Sequence, residues 1–191
     1  MSPILGIWAS QIRPYSLPLS FESIASTTVG AGGTAGVTFS SIPSTYTHLQ
    51  IRFMIKDTDT ATSTQIPVNI RMNSDTTTSN YALHRLYGDG STTGANGYTN
   101  TYSFVRAWFT SMSNVSNTFG VGIVDILDYA NTNKYKTVRA IGGTESNSAG
   151  AVALSSGLWM STNAINTLYI YSDNGNLAQY SHVALYGIKG E

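Results

Sequence analysis

The chain has 191 residues, no cysteine, and ten basic residues balanced by ten acidic ones. This balance argues against the basic surface used to bind nucleic acid or an anionic membrane, and the lack of cysteine excludes disulfides and thiolate metal sites. No apolar run approaches the ~20 residues that span a bilayer, and the first residues lack the basic segment of a secretory signal. We therefore expect neither membrane insertion nor secretion.

Uncharged polar residues are expected to cover the surface. Charged residues make up only 10% of the chain, against about a quarter in typical globular proteins. Ser (24), Thr (24) and Asn (14) together supply 62 of the 191 residues. Because Thr suits a pleated sheet while Ser and Asn favour turns, the composition predicts strands and turns, and the length fits one domain.

Residues 1–18 are predicted to form an extended N-terminal arm, because Pro3, Pro14 and Pro18 disfavour a helix. Leaving its apolar side chains in water is unfavourable, so we expect the arm to dock on a neighbouring subunit. The alternatives are a disordered terminus and an edge strand of the domain itself. The arm residues expected to bind a partner are Ile4, Leu5, Ile7 and Trp8.

The clearest strand signals lie in residues 47–57 and 66–73, where apolar and polar residues alternate. We predict that these two segments form an antiparallel pair and share one buried face, with Asn69 and Arg71 pointing outward. The side chains expected on the buried face are Leu49, Ile51, Phe53, Ile55, Val68, Ile70 and Met72.

Similar signals continue to the end of the chain and suggest about ten strands. The further candidates are residues 37–42, 81–87, 102–109, 119–129, 135–143, 151–160, 165–172 and 180–188. The glycine-rich stretches 27–36 and 88–100 are predicted to be loops, and no long segment has a helical period. The predicted fold is all-β: an antiparallel, jelly-roll-like two-sheet sandwich at 19–191, preceded by the arm.

The histidines His48, His84 and His182 lie far apart, and none has the spacing of a metal site. We interpret all three as structural. Residues 57–64 superficially resemble a calcium loop, but they lack its central glycine and closing glutamate. The sequence thus predicts no metal site and no cofactor.

Two acidic pairs are the only candidates for acid–base catalysis: Asp57 with Asp59, and Asp125 with Asp128. Paired carboxylates can hydrolyse glycosides when they are held at the required separation, but aspartates that cap turns are the preferred interpretation. Neither GxSxG nor a phosphate-binding loop is present. We therefore predict that the protein is not an enzyme.

Tyrosines are frequent for so uncharged a chain, and they suit both strand packing and binding surfaces. Near residue 170, Leu168 and Ile170 alternate with Tyr169 and Tyr171. The two tyrosines should therefore face away from the core. Together with Tyr98 they are candidates for contact with a partner protein or a sugar.

Most of the chain resembles a group of tailed-bacteriophage virion structural proteins. The most specific matching segments are FSSIPSTYTHLQIR at 39–52, DILDYANTNKYKTVR at 125–139 and ALYGIKG at 184–190. The resemblance implies a virion location, on the head or on the tail, and it brings no catalytic residues.

Two roles follow as hypotheses. The first is a capsid decoration (cement) protein, expected to be a homo-oligomer, most simply a trimer, that bridges major capsid subunits. The alternative is a tail-fibre or receptor-binding module whose tyrosines and residues 88–100 contact host glycans. Neither role requires nucleic acid or a membrane as a partner.

Overall fold

The computed structural model describes residues 20–59, 66–108, 116–146 and 149–190. The predicted contact residues of the arm, Ile4, Leu5, Ile7 and Trp8, lie outside the described residues.

Twelve β-strands and one short 3₁₀ turn at Thr78–Asn80 make up the regular structure of the described residues. None of it is a helix long and apolar enough to span a bilayer. The strands are β1 (Phe21–Thr28), β2 (Val37–Phe39), β3 (His48–Ile55), β4 (Pro67–Met72), β5 (Tyr81–Gly88), β6 (Thr93–Thr99), β7 (Val105–Trp108), β8 (Gly120–Leu127), β9 (Lys136–Glu145), β10 (Gly150–Trp159), β11 (Leu168–Ser172) and β12 (His182–Ile188).

The strands form two antiparallel sheets, which confirms the all-β sandwich. The large sheet has eight strands in the order β1-β12-β3-β8-β9-β10-β5-β6, and the small sheet has four in the order β2-β11-β4-β7. Without the hairpins β5–β6 and β9–β10, the order becomes β1-β12-β3-β8 facing β2-β11-β4-β7. This is the strand order of a jelly roll.

The two hairpins, which we call the sheet extension, widen only the large sheet. Strand β7 packs against the inner faces of β9 and β10. The approach is close, because a Cβ atom on Gly157 would lie 2.6 Å from Cγ1 of Val105. A larger residue at position 157 would therefore push β7 away from the extension.

The core lies between the two sheets and contains all seven side chains predicted for the shared face of residues 47–57 and 66–73. The predicted pairing of these two segments is wrong. Strand β3 pairs with β12 and β8 in the large sheet, whereas β4 pairs with β11 and β7 in the small sheet. Their apolar faces meet across the sandwich. Packing of this kind requires the same alternation of apolar and polar residues as pairing in a hairpin would.

The glycine-rich stretch 88–100 is also not the loop that its composition suggests. Residues Thr93–Thr99 form β6, which pairs with β5 along its whole length. The tight turn before it is held by Asp89, whose Oδ1 accepts hydrogen bonds from the backbone N–H groups of Ser91 and Thr92. The other glycine-rich stretch, 27–36, is irregular beyond Thr28, as predicted.

Candidate interaction surfaces

The outer face of the large sheet is apolar where a sandwich exposed to water would be polar. Eight large apolar side chains on this face are between 39% and 60% exposed. Leu127 lies apart from the others, beyond Asp125 on β8, and the remaining seven are adjacent. We call these seven the apolar face: Met54, Leu86, Val121, Ile123, Ile141, Val152 and Leu154.

Strand register aligns these side chains in two adjacent rows. In one row, Ile123 lies opposite Ile141, Ile141 opposite Leu154, and Leu154 opposite Leu86. In the neighbouring row, Met54 lies opposite Val121, and Val152 follows beyond Gly143. The face is therefore continuous across β3, β8, β9, β10 and β5.

A polar row borders the apolar face on one side. Asp125 accepts hydrogen bonds of 2.8 Å from Nε2 of Gln50 and from Nη2 of Arg139, which lie on the two neighbouring strands. Arg52 donates from Nε to Gln50, and its guanidinium lies over the ring of Phe21, 5.2 Å from the centroid. The Asp125–Arg139 pair is neutral, whereas Arg52 brings one positive charge to the border of the face.

The sequence analysis missed the apolar face, although a signal for it was present. In β8 apolar residues lie on both faces: Val124 and Ile126 are buried, while Val121 and Ile123 are exposed. A strand with both faces apolar indicates contact on both sides.

A second surface consists of five aromatic rings in a continuous series, which we call the aromatic strip. The successive ring centroids are 5.2, 5.2, 5.8 and 4.8 Å apart. In order, the rings belong to Tyr98, Tyr102, Phe104, Tyr171 and Tyr169. The strip therefore brings together the three tyrosines selected from the sequence, and it runs from β6 at the edge of the large sheet to β11 in the small sheet.

Two arginines pack on the aromatic strip. The guanidinium of Arg106 lies 3.9 Å from the ring centroid of Tyr102 and makes a 2.8 Å ion pair with Asp173. Arg71 donates a 3.0 Å hydrogen bond to the hydroxyl of Tyr171. Burial raises the pKa of Tyr171 to about 12, so this hydroxyl stays protonated at neutral pH.

The rings of the aromatic strip are half-buried, so each ring is partly covered by other residues of the chain and partly exposed. Tyr169 and Tyr171 lie on the outer side of β11, as predicted, while Leu168 and Ile170 are fully buried. Tyr169 packs against Gly36 and donates from its hydroxyl to the carbonyl of Ala35. The strip thus closes one side of the sandwich and also presents ring edges beside an arginine–aspartate pair.

Asp57, the first acidic candidate, has structural contacts. Its side chain is fully buried, and Ser172 donates its hydroxyl to Oδ2. The backbone N–H groups of Gly175 and Asp59 donate to the same carboxylate at 3.2 and 2.5 Å. Asp57 therefore fastens the end of β3 to the β11–β12 connection.

Asp125 belongs to the polar row, and Asp128 forms an ion pair with Lys134. The hydrogen bond from Lys134 holds the pKa of Asp128 below its ordinary value. The backbone N–H of Asp128 donates to Nδ1 of His48 at 2.9 Å. Asp125 and Asp128 thus have separate partners.

The other two histidines also have structural contacts. The ring of His84 lies over Gly97, and Nδ1 of His182 is hydrogen-bonded to the hydroxyl of Thr28 at 2.8 Å. Within residues 20–59, 66–108, 116–146 and 149–190, no three His, Asp or Glu side chains are grouped closely enough to hold a metal ion.

The comparisons with known proteins give no relative for this chain: no protein-family model, no curated protein and no solved structure matches it.

Proposed function

We propose that this chain is a structural protein of a tailed-bacteriophage virion and that it acts as a decoration (cement) protein, which oligomerises and bridges major capsid subunits. The apolar face carries the proposal. A contiguous exposed patch of seven large apolar side chains is a feature of proteins that work in contact with other proteins. The segments that resemble virion structural proteins support a location in the virion. The proposed role needs no catalytic residue, metal or cofactor.

The small share of charged residues supports an assembly role. Charged side chains are depleted at the centre of protein interfaces, because removing them from water is unfavourable. Here they make up 10% of the chain, and the pair Asp125–Arg139 at the border of the apolar face is neutralised internally. A partner surface can therefore cover this face without burying an unpaired charge from this pair.

Immunogold electron microscopy of phage virions produced by the source of this chain tests the proposal. Antibody against the purified chain should label the head surface, and pre-immune serum should not. Label confined to the tail would replace the decoration role with the alternative below. Intact virions whose purified proteins do not include this chain would contradict both.

The arm provides a second test of the decoration role. We expect that deleting residues 1–15 leaves the melting temperature of the isolated protein nearly unchanged but weakens its binding to undecorated shells. An unfolded truncated domain would instead make the arm an internal strand. Unchanged binding would show that the arm has no part in attachment.

The alternative role, a tail module that contacts host glycans, is favoured by the aromatic strip. Tyrosine ring edges beside the Arg106–Asp173 pair offer apolar contact and hydrogen-bonding groups to a sugar. Saturation-transfer NMR with host surface glycans tests this role. A signal that Tyr171→Phe retains and Tyr171→Ala loses would support it, and no signal with the wild-type chain would contradict it.

A further inference from the structure

We infer that the apolar face is the contact between two copies of this chain, whose large sheets pack face to face about a twofold axis. The inference rests on the proposed function in one respect: both require that another protein surface covers this face. It names the occupant, a second copy, and therefore predicts pairing in solution without any capsid subunit.

The size of the apolar face is the first argument. Its seven side chains, each 39–60% exposed and arranged in two adjoining rows, are comparable in area with the largest apolar patch of a typical monomer, roughly 300–600 Å², which is often a functional surface. With the polar residues that border it, such a patch can serve as the centre of a standard interface, to which each partner contributes ~800 Å². A second copy would supply a surface of the same size and kind.

The charge at the face is the second argument. The formal net charge of the chain is zero, and the bordering Asp125 and Arg139 are paired with each other at 2.8 Å. Arg52 adds a single positive charge to this border, so a strongly charged partner would find little complementary charge along it. Two identical copies, in contrast, approach without net repulsion.

The shape of the face is the third argument. A twofold contact uses the same patch on both copies, so the patch must fit itself. Two apolar sheet faces meet this condition when the ridges of each fit the grooves of the other, because sheets pack face to face at about 10 Å with interdigitating side chains. Beside the ridge formed by Leu86 and Leu154 lies a groove of about 460 Å³ that is also lined by Ala95 and Gly97. The face thus offers both a ridge and a groove.

The position of the face in the fold is the fourth argument. Ile141 and Val152 lie on β9 and β10, and Leu86 lies on β5, all in the two hairpins added to the eight-strand jelly roll. The small sheet has only four strands and is not widened in the same way. The extension therefore enlarges the large sheet specifically, and its outer side carries much of the apolar face.

A twofold contact joins copies in pairs, so this inference replaces the expected trimer by a dimer or another even-numbered oligomer. Light scattering and sedimentation equilibrium of the full chain over a range of concentrations measure the mass directly. We expect the mass of a dimer at micromolar concentrations. A monomer at 200 µM, or a trimer, would overturn the inference.

Charge substitutions on the face identify the occupant. Leu86→Lys with Leu154→Lys should raise the dimer dissociation constant at least about 100-fold, since two cations per copy would lie in the apolar contact. Leu86→Glu with Leu154→Glu should do the same. The matched control is Tyr135→Lys, because Tyr135 is an exposed aromatic residue at 51% that lies outside the face.

Mixing the lysine variant with the glutamate variant separates a second copy from any other occupant. If two copies meet through this face, the mixture should regain at least a tenfold tighter association than either variant alone. Loss of association without rescue, with circular dichroism showing both variants folded, would overturn the inference. Association that the face variants retain, but that deletion of residues 1–15 abolishes, would also overturn it. Virion labelling remains an independent readout of the proposed function.

Discussion

Trp159 donates a hydrogen bond of 2.7 Å from its indole Nε1 to Oδ2 of Asp75, and this bond ties the end of β10 to the turn after β4. Asp75 also accepts from Nδ2 of Asn80 and from the backbone N–H of Thr77. Burial alone would raise the pKa of Asp75, but these hydrogen bonds outweigh it and lower the pKa below its ordinary value. One carboxylate thus connects the sheet extension to the jelly roll.

The substitution Asp75→Asn should lower the free energy of unfolding by about 1 to 3 kcal/mol at pH 7, because it weakens the hydrogen bonds that the carboxylate accepts. A carboxylate with a depressed pKa stabilises the fold above the unfolded-state pKa of about 3.9, and the effect is lost as pH falls through the folded-state pKa. Urea denaturation at pH 7, 5 and 3 should show the gap between wild type and variant closing at the lowest pH. A gap independent of pH would mean that the charge of Asp75 is unimportant.

Phe53→Ala should lower the free energy of unfolding by roughly 3 to 5 kcal/mol, because it empties a core site. The ring of Phe53 packs directly over Gly122 on the neighbouring strand. Gln50→Ala, on the outer face of the same strand, should cost under about 1 kcal/mol. Chemical denaturation of both variants provides the measurement, and equal effects would contradict the observed register.

Lys136→Met should destabilise the protein by about 2 to 4 kcal/mol. Lys136 is fully buried, and its ammonium donates to the backbone carbonyls of Asn131, Lys134, Ser161 and Thr162 at 2.6 to 3.5 Å. Methionine fills similar space but leaves these carbonyls without their donor. Thermal melting measures the effect. The control is Lys134→Met. The ammonium of Lys134 is on the surface, so its loss should lower the free energy of unfolding by under about 1 kcal/mol.

Asp57→Asn should give the largest loss of stability among the four acidic candidates, because Asp57 alone of them is fully buried. We expect that replacing Asp57, Asp59, Asp125 and Asp128 by Asn leaves binding to virions or shells intact once the protein is folded. Binding assays below the melting temperature of each variant test this. Cleavage of a polysaccharide by the wild type that one of these variants loses would refute the non-enzymatic prediction.

The predictions that succeeded depend on local pattern. In 165–172 the alternation placed Leu168 and Ile170 inward and Tyr169 and Tyr171 outward, because successive strand residues point to opposite sides whatever the neighbouring strand is. The same rule found the core residues of 47–57 and 66–73. It could not tell whether those residues meet within one sheet or across two, since both arrangements bury the same face.

Composition misled the interpretation of residues 88–100. Gly94, Gly97 and their small neighbours have low strand propensity, but pairing with β5 overrides it. Gly97 in fact accommodates the ring of His84, which lies over it. A cross-strand contact of this kind depends on which strand becomes the neighbour, and no local window contains that information.

The sequence by itself determined the β class, the approximate positions of ten of the twelve described strands (all but β1 and β6) and the inward side of β3, β4 and β11, because these follow from a period of two residues. Only the tertiary structure decided which strands pair, that two hairpins widen the large sheet, and that apolar side chains on the outer sides of β8, β9 and β10 are exposed among the described residues. Strand pairing joins residues far apart in sequence, so it depends on the packing of the whole chain. Apolar residues on both sides of a strand indicate that both sides need a contact, but only the folded chain shows which side packs in the core and which side is exposed.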